Sequence, residues 1–331
     1  MIFVENDASK NHQPMGYTMN LLVKLVLIAS FIFQVPRLCS ADEPSPASYR
    51  GFDGWWIRND RAEVFICANP FPRVLAFRRP GSDDKLHVAE GTSLIGIRSR
   101  CHLPDLEGDH SLNPAAQPAT ATWTGEHKVR LVCKPELEGT GLQHVLTVIL
   151  DETKPLLSLR HEFINRGNIP VKVASWAIIA VPMEGKGLLP YDNGFSKKLI
   201  HFRGLSIVQD GLEYGKKALV VDYSTPPAEG WFKIGTDSQA GWVAYVNGEH
   251  AMKSTVSVIA DGDYPEDGAT VTIFKWPGGN WQAVPFGEIE HNGPLTVVKK
   301  DQNTFIDQTV ELVPVSDLDL SSADSWYTSM K

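Results

Sequence analysis

Apolar and polar residues alternate over short segments along most of the chain, and turn-forming residues separate these segments. Segments rich in Val, Ile, Trp, Phe and Thr recur between clusters of Gly, Pro, Asn and Asp, which is typical of β-strands joined by turns. No window repeats apolar residues at helical spacing for long enough to predict a surface helix. The predicted strands are seventeen segments: 55–59, 63–68, 73–79, 86–90, 119–125, 128–134, 143–151, 156–165, 171–181, 218–222, 231–235, 241–246, 253–260, 270–276, 281–290, 295–299 and 304–313.

Seventeen strands are too many for a simple immunoglobulin-type sandwich. They predict an all-β fold, a large antiparallel β-sandwich in one domain over residues 55–315, because single all-β domains of this size are common. Residues 42–54 are rich in Pro and Ser and are predicted to be a flexible leader. Residues 316–331 are predicted to be a polar C-terminal tail, either docked or mobile. Segments 101–117 and 184–217 are predicted to be long loops, which often carry function.

The N-terminal segment 1–41 has the pattern of a secretory signal peptide. An apolar run of eleven residues, 25–35, follows a lysine and is followed by small residues. The run is shorter than the roughly 20 residues needed to span a bilayer. We therefore expect an exported protein, periplasmic or extracellular, without a membrane span; a retained anchor is the less favoured alternative. Met15 or Met19 would be a more compact start than Met1.

Charge and cysteine content narrow the class of protein. The 331 residues include 31 Lys and Arg against 39 Asp and Glu, a formal net charge of −8, and no basic run. A nucleic-acid partner is therefore not expected. Cys67, Cys101 and Cys133 follow the predicted signal peptide. An odd number permits at most one internal disulfide, whose pairing stays open, and no Cys/His spacing indicates structural zinc.

Several short segments, in order, resemble one known family. Segment 159–182 contains a strand, an Asn-x-Gly turn and a strand bearing a Trp, and it resembles a central hairpin of the galactose mutarotase-like β-supersandwich. Segment 64–77 is similar to the opening hairpin of that family and keeps an arginine, Arg73. The similarity continues through short segments downstream: 187–191, 232–235, 241–245, 264–268 and 287–295. The chain thus resembles a bacterial branch of this superfamily whose function is unknown, and the resemblance implies the supersandwich fold.

Aldose 1-epimerases of this superfamily use a Glu as general base at the anomeric hydroxyl, and the resemblance implies the same role here. Glu288 and Glu290 lie two apart on a predicted strand, which places both on one face. Close carboxylates with apolar neighbours raise the pKa of at least one of them, as acid–base work near neutral pH requires. Glu288 is the predicted base. The alternative is an edge strand whose charges face solvent.

The same resemblance implies a His as general acid, but the family's His-Pro-Tyr-type motif does not follow the strand of Trp176. His161 is one candidate, because alternation puts it on an apolar strand face; the alternative is a hydrogen-bonded core histidine. His201, in the second long loop, is the other candidate.

Carbohydrate sites combine aromatic faces with polar groups that bind hydroxyls. The chain has nine Trp. Some of these would line a sugar site, whereas others would fill the core. The predicted substrate contacts are Arg73, Trp176, Asp192, Arg203, Trp242 and Glu290.

Two acidic segments, 105–110 and 261–268, contain the Asp and Gly pattern of a calcium-binding loop. Neither completes an EF-hand, and acidic hairpin turns have the same composition. We therefore predict no metal and no cofactor, with calcium as the alternative.

These features favour an exported carbohydrate-binding protein, and aldose epimerase-like action at an anomeric carbon is a hypothesis. One alternative is a non-catalytic envelope protein that binds glycans or supports assembly. A further alternative is a polysaccharide lyase or hydrolase-like enzyme. The sugar and the oligomeric state stay open.

Overall fold

The computed structural model describes residues 44–84, 86, 88, 95–106, 113–191, 199–201, 211–225, 230–279 and 284–331, with the backbone alone at 199–201. The predicted signal peptide lies outside these residues. The described strands are β1 Pro46–Tyr49, β2 Phe52–Arg58, β3 Glu63–Cys67, β4 Arg73–Arg78, β5 Ile97–His102, β6 Ala119–Trp123, β7 Lys128–Cys133, β8 Leu142–Leu150, β9 Leu156–Asn165, β10 Val171–Val181, β11 Lys186–Pro190, β12 Leu199–His201, β13 Leu212–Tyr214, β14 Ala218–Asp222, β15 Phe232–Thr236, β16 Trp242–Asn247, β17 His250–Val256, β18 Val271–Trp276, β19 Phe286–Asn292, β20 Thr296–Val298 and β21 Asn303–Pro314.

The strands form two large antiparallel sheets. Sheet I has the order β1-β2-β3-β4-β5-β10-β19-β18-β15-β12, and β20 pairs with β10. Sheet II has the order β13-β14-β11-β16-β17-β21-β9-β8-β7-β6. The predicted all-β antiparallel sandwich is confirmed. Within the described residues, no helix is long and apolar enough to span a membrane.

Burial along each strand shows where the core lies. In β21 buried and exposed positions alternate, as expected for a strand with one solvated face. In β10 nearly every position is buried, because this central strand of sheet I is covered on both faces. The largest apolar core cluster lies between the sheets and includes Ile179, Ile289, Val310 and Leu312.

The segment before the predicted domain and the segment after it both contain regular structure. Residues 42–54, expected to be a flexible leader, contain β1 and the start of β2, whose Tyr49 packs against Trp56 and Phe65 with ring centroids 5.3 Å apart in both cases. The prediction of a flexible leader is therefore wrong for these strands.

The polar tail contains helix α1, Ala323–Met330. Ser322 caps its N-terminus by accepting a hydrogen bond from the Ser325 amide. Trp326, Tyr327 and Met330 are buried against Trp242 of sheet II, so the segment is docked.

The predicted loops were only partly correct. Segment 101–117 begins with the end of β5, and segment 184–217 contains β11, β12 and β13. One predicted strand is wrong. Of segment 86–90 the structure describes Leu86 and Val88, and neither lies in a strand.

Cys67, Cys101 and Cys133 are all buried, and no disulfide joins any two of these three described cysteines. Burial raises the pKa of both Cys67 and Cys133 to about 12, which makes these thiols unreactive at neutral pH.

Candidate active site

Alternation along the strands divides sheet I into a face towards sheet II and an outward face. Ser99 and His291 hydrogen-bond to side chains of sheet II, whereas their neighbours Arg98 and Glu290 lie on the outward face. On the outward face β5, β10, β19, β18 and β15 together form a pocket of about 310 Å³. The pocket is lined by Arg100, Trp176, Trp231, Lys233, Phe274, Phe286, Glu288 and Glu290.

Glu288 forms a buried ion pair with Arg98. Arg98 Nη2 donates to Glu288 Oε1, and the two side chains are 3% and 7% exposed. The strands bring them together, because Ala180 of β10 pairs with Glu288 while Ile178 pairs with Arg98. Burial raises the pKa of Glu288 to about 7, the charge of Glu290 adds to this rise, and Arg98 opposes it. Glu288 therefore exchanges a proton in the neutral range.

Glu290, two residues along β19, has different partners. Its Oε2 accepts a hydrogen bond from Thr272 Oγ1 and lies 2.9 Å from Lys233 Nζ. Burial acts to raise the pKa of Glu290, but Lys233 and hydrogen bonds from Glu288 and Thr272 outweigh it and lower that pKa to about 2. Glu290 is therefore ionised at neutral pH.

Lys233 is held between two carboxylates, since its Nζ also lies 2.5 Å from Glu266 Oε1. Burial acts to lower the pKa of Lys233, but Glu290 and Glu266 outweigh burial and raise it. Glu266 occupies a turn, Pro265–Gly268, in which Glu266 and Asp267 have φ of 54° and 58°. Non-glycine residues rarely adopt this left-handed conformation, and such strain often occurs at functional sites.

A second set of hydrogen bonds fixes His102 beside the group formed by Glu290, Lys233 and Glu266. Asn292 Nδ2 donates to Glu266 Oε2 and to the Ala269 carbonyl, both at 3.0 Å, so its oxygen faces His102. His102 Nε2 lies 3.0 Å from Asn292 Oδ1 and therefore carries the proton. Burial lowers the pKa of His102, so the ring is neutral at pH 7.

Aromatic rings form the other side of the pocket. Phe274 lies 6.0 Å from Trp231 and 5.9 Å from Phe286 between ring centroids. Trp176 instead stacks on His102 at 4.5 Å and is contacted by Lys233 Nζ at 4.6 Å. The row of Trp231, Phe274 and Phe286 is therefore the better surface for the apolar face of a ligand.

Three residues predicted from the sequence, Glu288, Glu290 and Trp176, meet in this pocket. Arg73 does not line it. The Arg73 side chain is buried beside Cys67, and its guanidinium lies 4.9 Å from the Phe71 ring centroid. Burial lowers the pKa of Arg73 to about 10.

Trp242 is wrong as a substrate contact, because it belongs to sheet II and packs against Tyr327 of α1 at 5.6 Å. Asp192 and Arg203 lie outside the described residues. For His201 only the backbone is described; it pairs with Ile234 at the β12 edge of sheet I.

His161 is wrong as the predicted acid, because it is fully buried between the sheets. Its Nδ1 accepts from Ser99 Oγ at 2.7 Å, and its Nε2 donates to Gln308 Oε1 at 2.9 Å. Gln308 Nε2 donates to Ser254 Oγ at 2.8 Å, which in turn lies 2.8 Å from His291 Nε2. We call these five residues the inter-sheet chain. Burial lowers the pKa of His161 to about 4, so it is a satisfied core histidine.

Three polar residues of β5 were not predicted as site residues from the sequence: Arg98, Arg100 and His102. The sequence contains a pattern that could have found them. In Ile97–His102 the basic residues Arg and His alternate with the smaller or apolar residues Ile, Ser and Cys, as in a strand with two buried faces. Lys233 was missed because nothing in its local segment shows the two carboxylates that it contacts.

Neither acidic segment forms a metal centre in its described part. Asp263 pairs with Lys172 at 3.0 Å, and Glu266 pairs with Lys233. Among the residues that the structure describes, no group of three or more His, Cys, Asp or Glu side chains has a metal-binding arrangement.

Comparison with solved structures gives the fold family. A galactose mutarotase-like protein from Lactobacillus casei ATCC 334 superposes with a TM-score of 0.57 and 11% identity, over 78% of this chain and 100% of that chain. An aldose epimerase homologue from C. elegans superposes with a TM-score of 0.52 and 9% identity, over 78% of this chain and 98% of that chain. A TPR-domain containing protein from Parabacteroides distasonis ATCC 8503 superposes with a TM-score of 0.53 and 12% identity, over 79% of this chain and 47% of that chain.

No family model and no curated protein matches this sequence. The structural matches confirm the predicted resemblance at the level of the fold: the chain has the galactose mutarotase-like β-supersandwich fold. At these identities the fold does not fix the activity.

Proposed function

We propose that the outward pocket of sheet I binds a saccharide and that Glu288 transfers a proton at its anomeric centre, as in an aldose epimerase. One observation carries the proposal: Glu288 lines a pocket with an aromatic row, where burial raises its pKa towards the neutral range. A group that titrates near the working pH is the most effective acid–base catalyst.

An unsatisfied polar atom supports a hydroxylated ligand. Of the residues that line the pocket, Trp176 has a buried ring nitrogen, Nε1, with no hydrogen-bond partner among the described residues. A buried N–H of this kind is normally hydrogen-bonded, so a ligand that accepts hydrogen bonds suits it. Sugar hydroxyls accept hydrogen bonds, and the pyranose ring has an apolar face for the aromatic row.

The contact between the two carboxyl groups argues against the hydrolase alternative. Glycoside hydrolases place their carboxyl groups about 5–9.5 Å apart, to leave room for the scissile bond or a water molecule. Here Glu288 and Glu290 hydrogen-bond to each other. A non-catalytic glycan-binding protein would use the same pocket. It would differ from the proposed enzyme only in that the bound sugar is not converted.

We also propose that the protein is exported. The support is the signal-like pattern of residues 1–41. Fractionation of cells that produce the full chain, followed by N-terminal sequencing of the product, tests this proposal. Retention of residues 1–41 on a cytosolic product would contradict it.

Saturation-transfer NMR on the full chain, with neutral mono- and oligosaccharides, tests the binding site. Replacing the half-buried ring in Trp231→Leu removes part of the aromatic row and should weaken binding about tenfold. Phe305→Ala is the matched control, because Phe305 is an aromatic residue of sheet II that is 43% exposed and lies outside the pocket. Equal loss in both variants, or no saturation transfer to any saccharide, would contradict the site.

A further inference from the structure

The described side chains of the pocket include no histidine; two glutamates in mutual contact line it instead. We propose that Glu288 and Glu290 share one proton and together perform both proton transfers at the anomeric centre, replacing the His and Glu pair that the family resemblance implies. This inference rests on the proposed function of the pocket.

The backbone sets the geometry of the pair. Glu288 and Glu290 lie two apart on β19, so both side chains project into the same pocket. Arg98 anchors Glu288, whereas Lys233 and Thr272 anchor Glu290. Separate partners thus hold the two carboxyl groups, which contact each other between Arg98 on one side and Lys233 on the other.

The hydrogen bond between the carboxyl groups requires a proton, because two ionised carboxylates are both acceptors. Glu290 Oε2 is already used by Thr272 and Lys233, and Oε1 has no donor among the described groups. A protonated Glu288 supplies that donor. The opposite pKa shifts of the two residues agree with this arrangement, in which one proton belongs to the pair.

A shared proton is sufficient for ring opening. Ionised Glu290 takes the proton of the anomeric hydroxyl, while protonated Glu288 gives its proton to the ring oxygen. The bond between the anomeric carbon and the ring oxygen breaks, its electron pair stays on that oxygen, and the anomeric carbon becomes an aldehyde. After rotation of the aldehyde, the same steps in reverse close the other anomer and restore both carboxyl groups. No other reactant is needed.

Glutamate side-chain 13C NMR on the full chain without ligand tests the shared proton directly. Two coupled titration steps are expected, with the signals of both residues shifting in each step. In Glu290→Gln the titration midpoint of Glu288 should fall by at least about one pH unit, because a neighbouring negative charge is removed. An unchanged midpoint, or two independent single steps, would overturn the proposal whether or not a sugar binds.

Anomeric exchange measured by NMR tests the catalytic part. Glu288→Gln and Glu290→Gln should each lower the exchange rate by about 10²–10⁴-fold. Glu63→Gln is the matched control, because Glu63 is an ion-paired carboxylate of the same sheet that contacts Arg58 and Arg78 away from the pocket. It should keep the wild-type rate.

Glu290→Gln leaves Lys233 with one carboxylate fewer, so its fold must be checked by 1H–15N spectra. Thr272→Val is the milder variant: it removes one donor to Glu290 and should bring the two titration steps closer together. Wild-type exchange in folded Glu290→Gln would overturn the shared-proton mechanism and leave Glu288 as a single base. Absence of sugar binding by the wild type would instead overturn the proposed function, and the ligand-free titration would still decide the shared proton.

Discussion

Strands β5 and β19 carry two buried polar clusters, one on each face, and the clusters differ in what completes them. Towards sheet II, the inter-sheet chain runs from Ser99 to His291 through neutral groups, and Gln308 uses both its amide oxygen and its amide nitrogen. On the outward face, charged groups meet in the pocket, and several polar atoms have no partner among the described residues.

Burial alone therefore does not distinguish a site from a structural network. In the inter-sheet chain one ring nitrogen, His291 Nδ1, has no partner among the described residues, but no pocket adjoins it there, whereas the unsatisfied atoms of the outward face lie beside a pocket and are suited to a ligand. The comparison can be tested, because the histidines between the sheets and Glu288 in the pocket predict opposite responses of stability to pH.

The largest expected effect comes from the buried histidines between the sheets. Burial lowers the pKa of His144 to about 3, of His161 to about 4 and of His291 to about 3. The unfolded chain therefore binds more protons below pH 6.5, and stability falls as the pH falls. At pH 5 each histidine should reduce the free energy of unfolding by about 2 kcal/mol, or about 6 kcal/mol in total. Urea unfolding at pH 7 and pH 5 measures this loss; a protein as stable at pH 5 as at pH 7 would contradict it.

The next effect comes from breaking the inter-sheet chain at its centre. Gln308→Leu leaves the His161 N–H without an acceptor and removes a donor to Ser254, so we expect a loss of about 3 kcal/mol at pH 7. Chemical denaturation measures it. Gln143→Leu is the matched control, since Gln143 is half-buried and bonds to Arg166 and the Cys133 carbonyl at the edge of the core. Equal losses would mean that the inter-sheet chain has no special role.

The smallest expected effect on the free energy of unfolding comes from Glu288 in the pocket. Its contribution increases as the pH falls, whereas that of the buried histidines decreases. The pKa of Glu288 is higher in the folded state, about 7, than the ordinary value of 4.5. Its contribution is therefore fully present below pH 4.5 and is lost as the pH rises through 7. Wild type therefore regains stability from this group between pH 7 and pH 5, and Glu288→Gln should not. The stability of Glu288→Gln should thus fall more steeply than that of wild type over the same range; parallel curves would contradict the raised pKa.

Local alternation was sufficient to predict the two-sheet fold and the position of Glu288 and Glu290 on one strand face. It also placed His161 on a buried face, but it could not show that Ser99 and Gln308 satisfy the ring. The ion pair of Arg98 and Glu288 joins residues 190 positions apart in the chain, so no local pattern contains it.

Helix α1 was missed for a different reason. Ala323, Trp326, Tyr327 and Met330 do follow helical spacing and all are buried, but the segment is only eight residues long and its other positions are polar. Short helices of this kind depend on tertiary packing, here against Trp242, more than on their own propensity.

The central claim is that Glu288 moves a proton at an anomeric carbon in the pocket of sheet I. The most direct test is NMR of anomeric exchange in saccharides that bind the full chain, for wild type, Glu288→Gln and Glu63→Gln. Exchange well above the buffer rate is expected for wild type and Glu63→Gln, and exchange near the buffer rate is expected for folded Glu288→Gln that still binds sugar. Exchange at the wild-type rate in Glu288→Gln, or at the buffer rate in wild type, would contradict it.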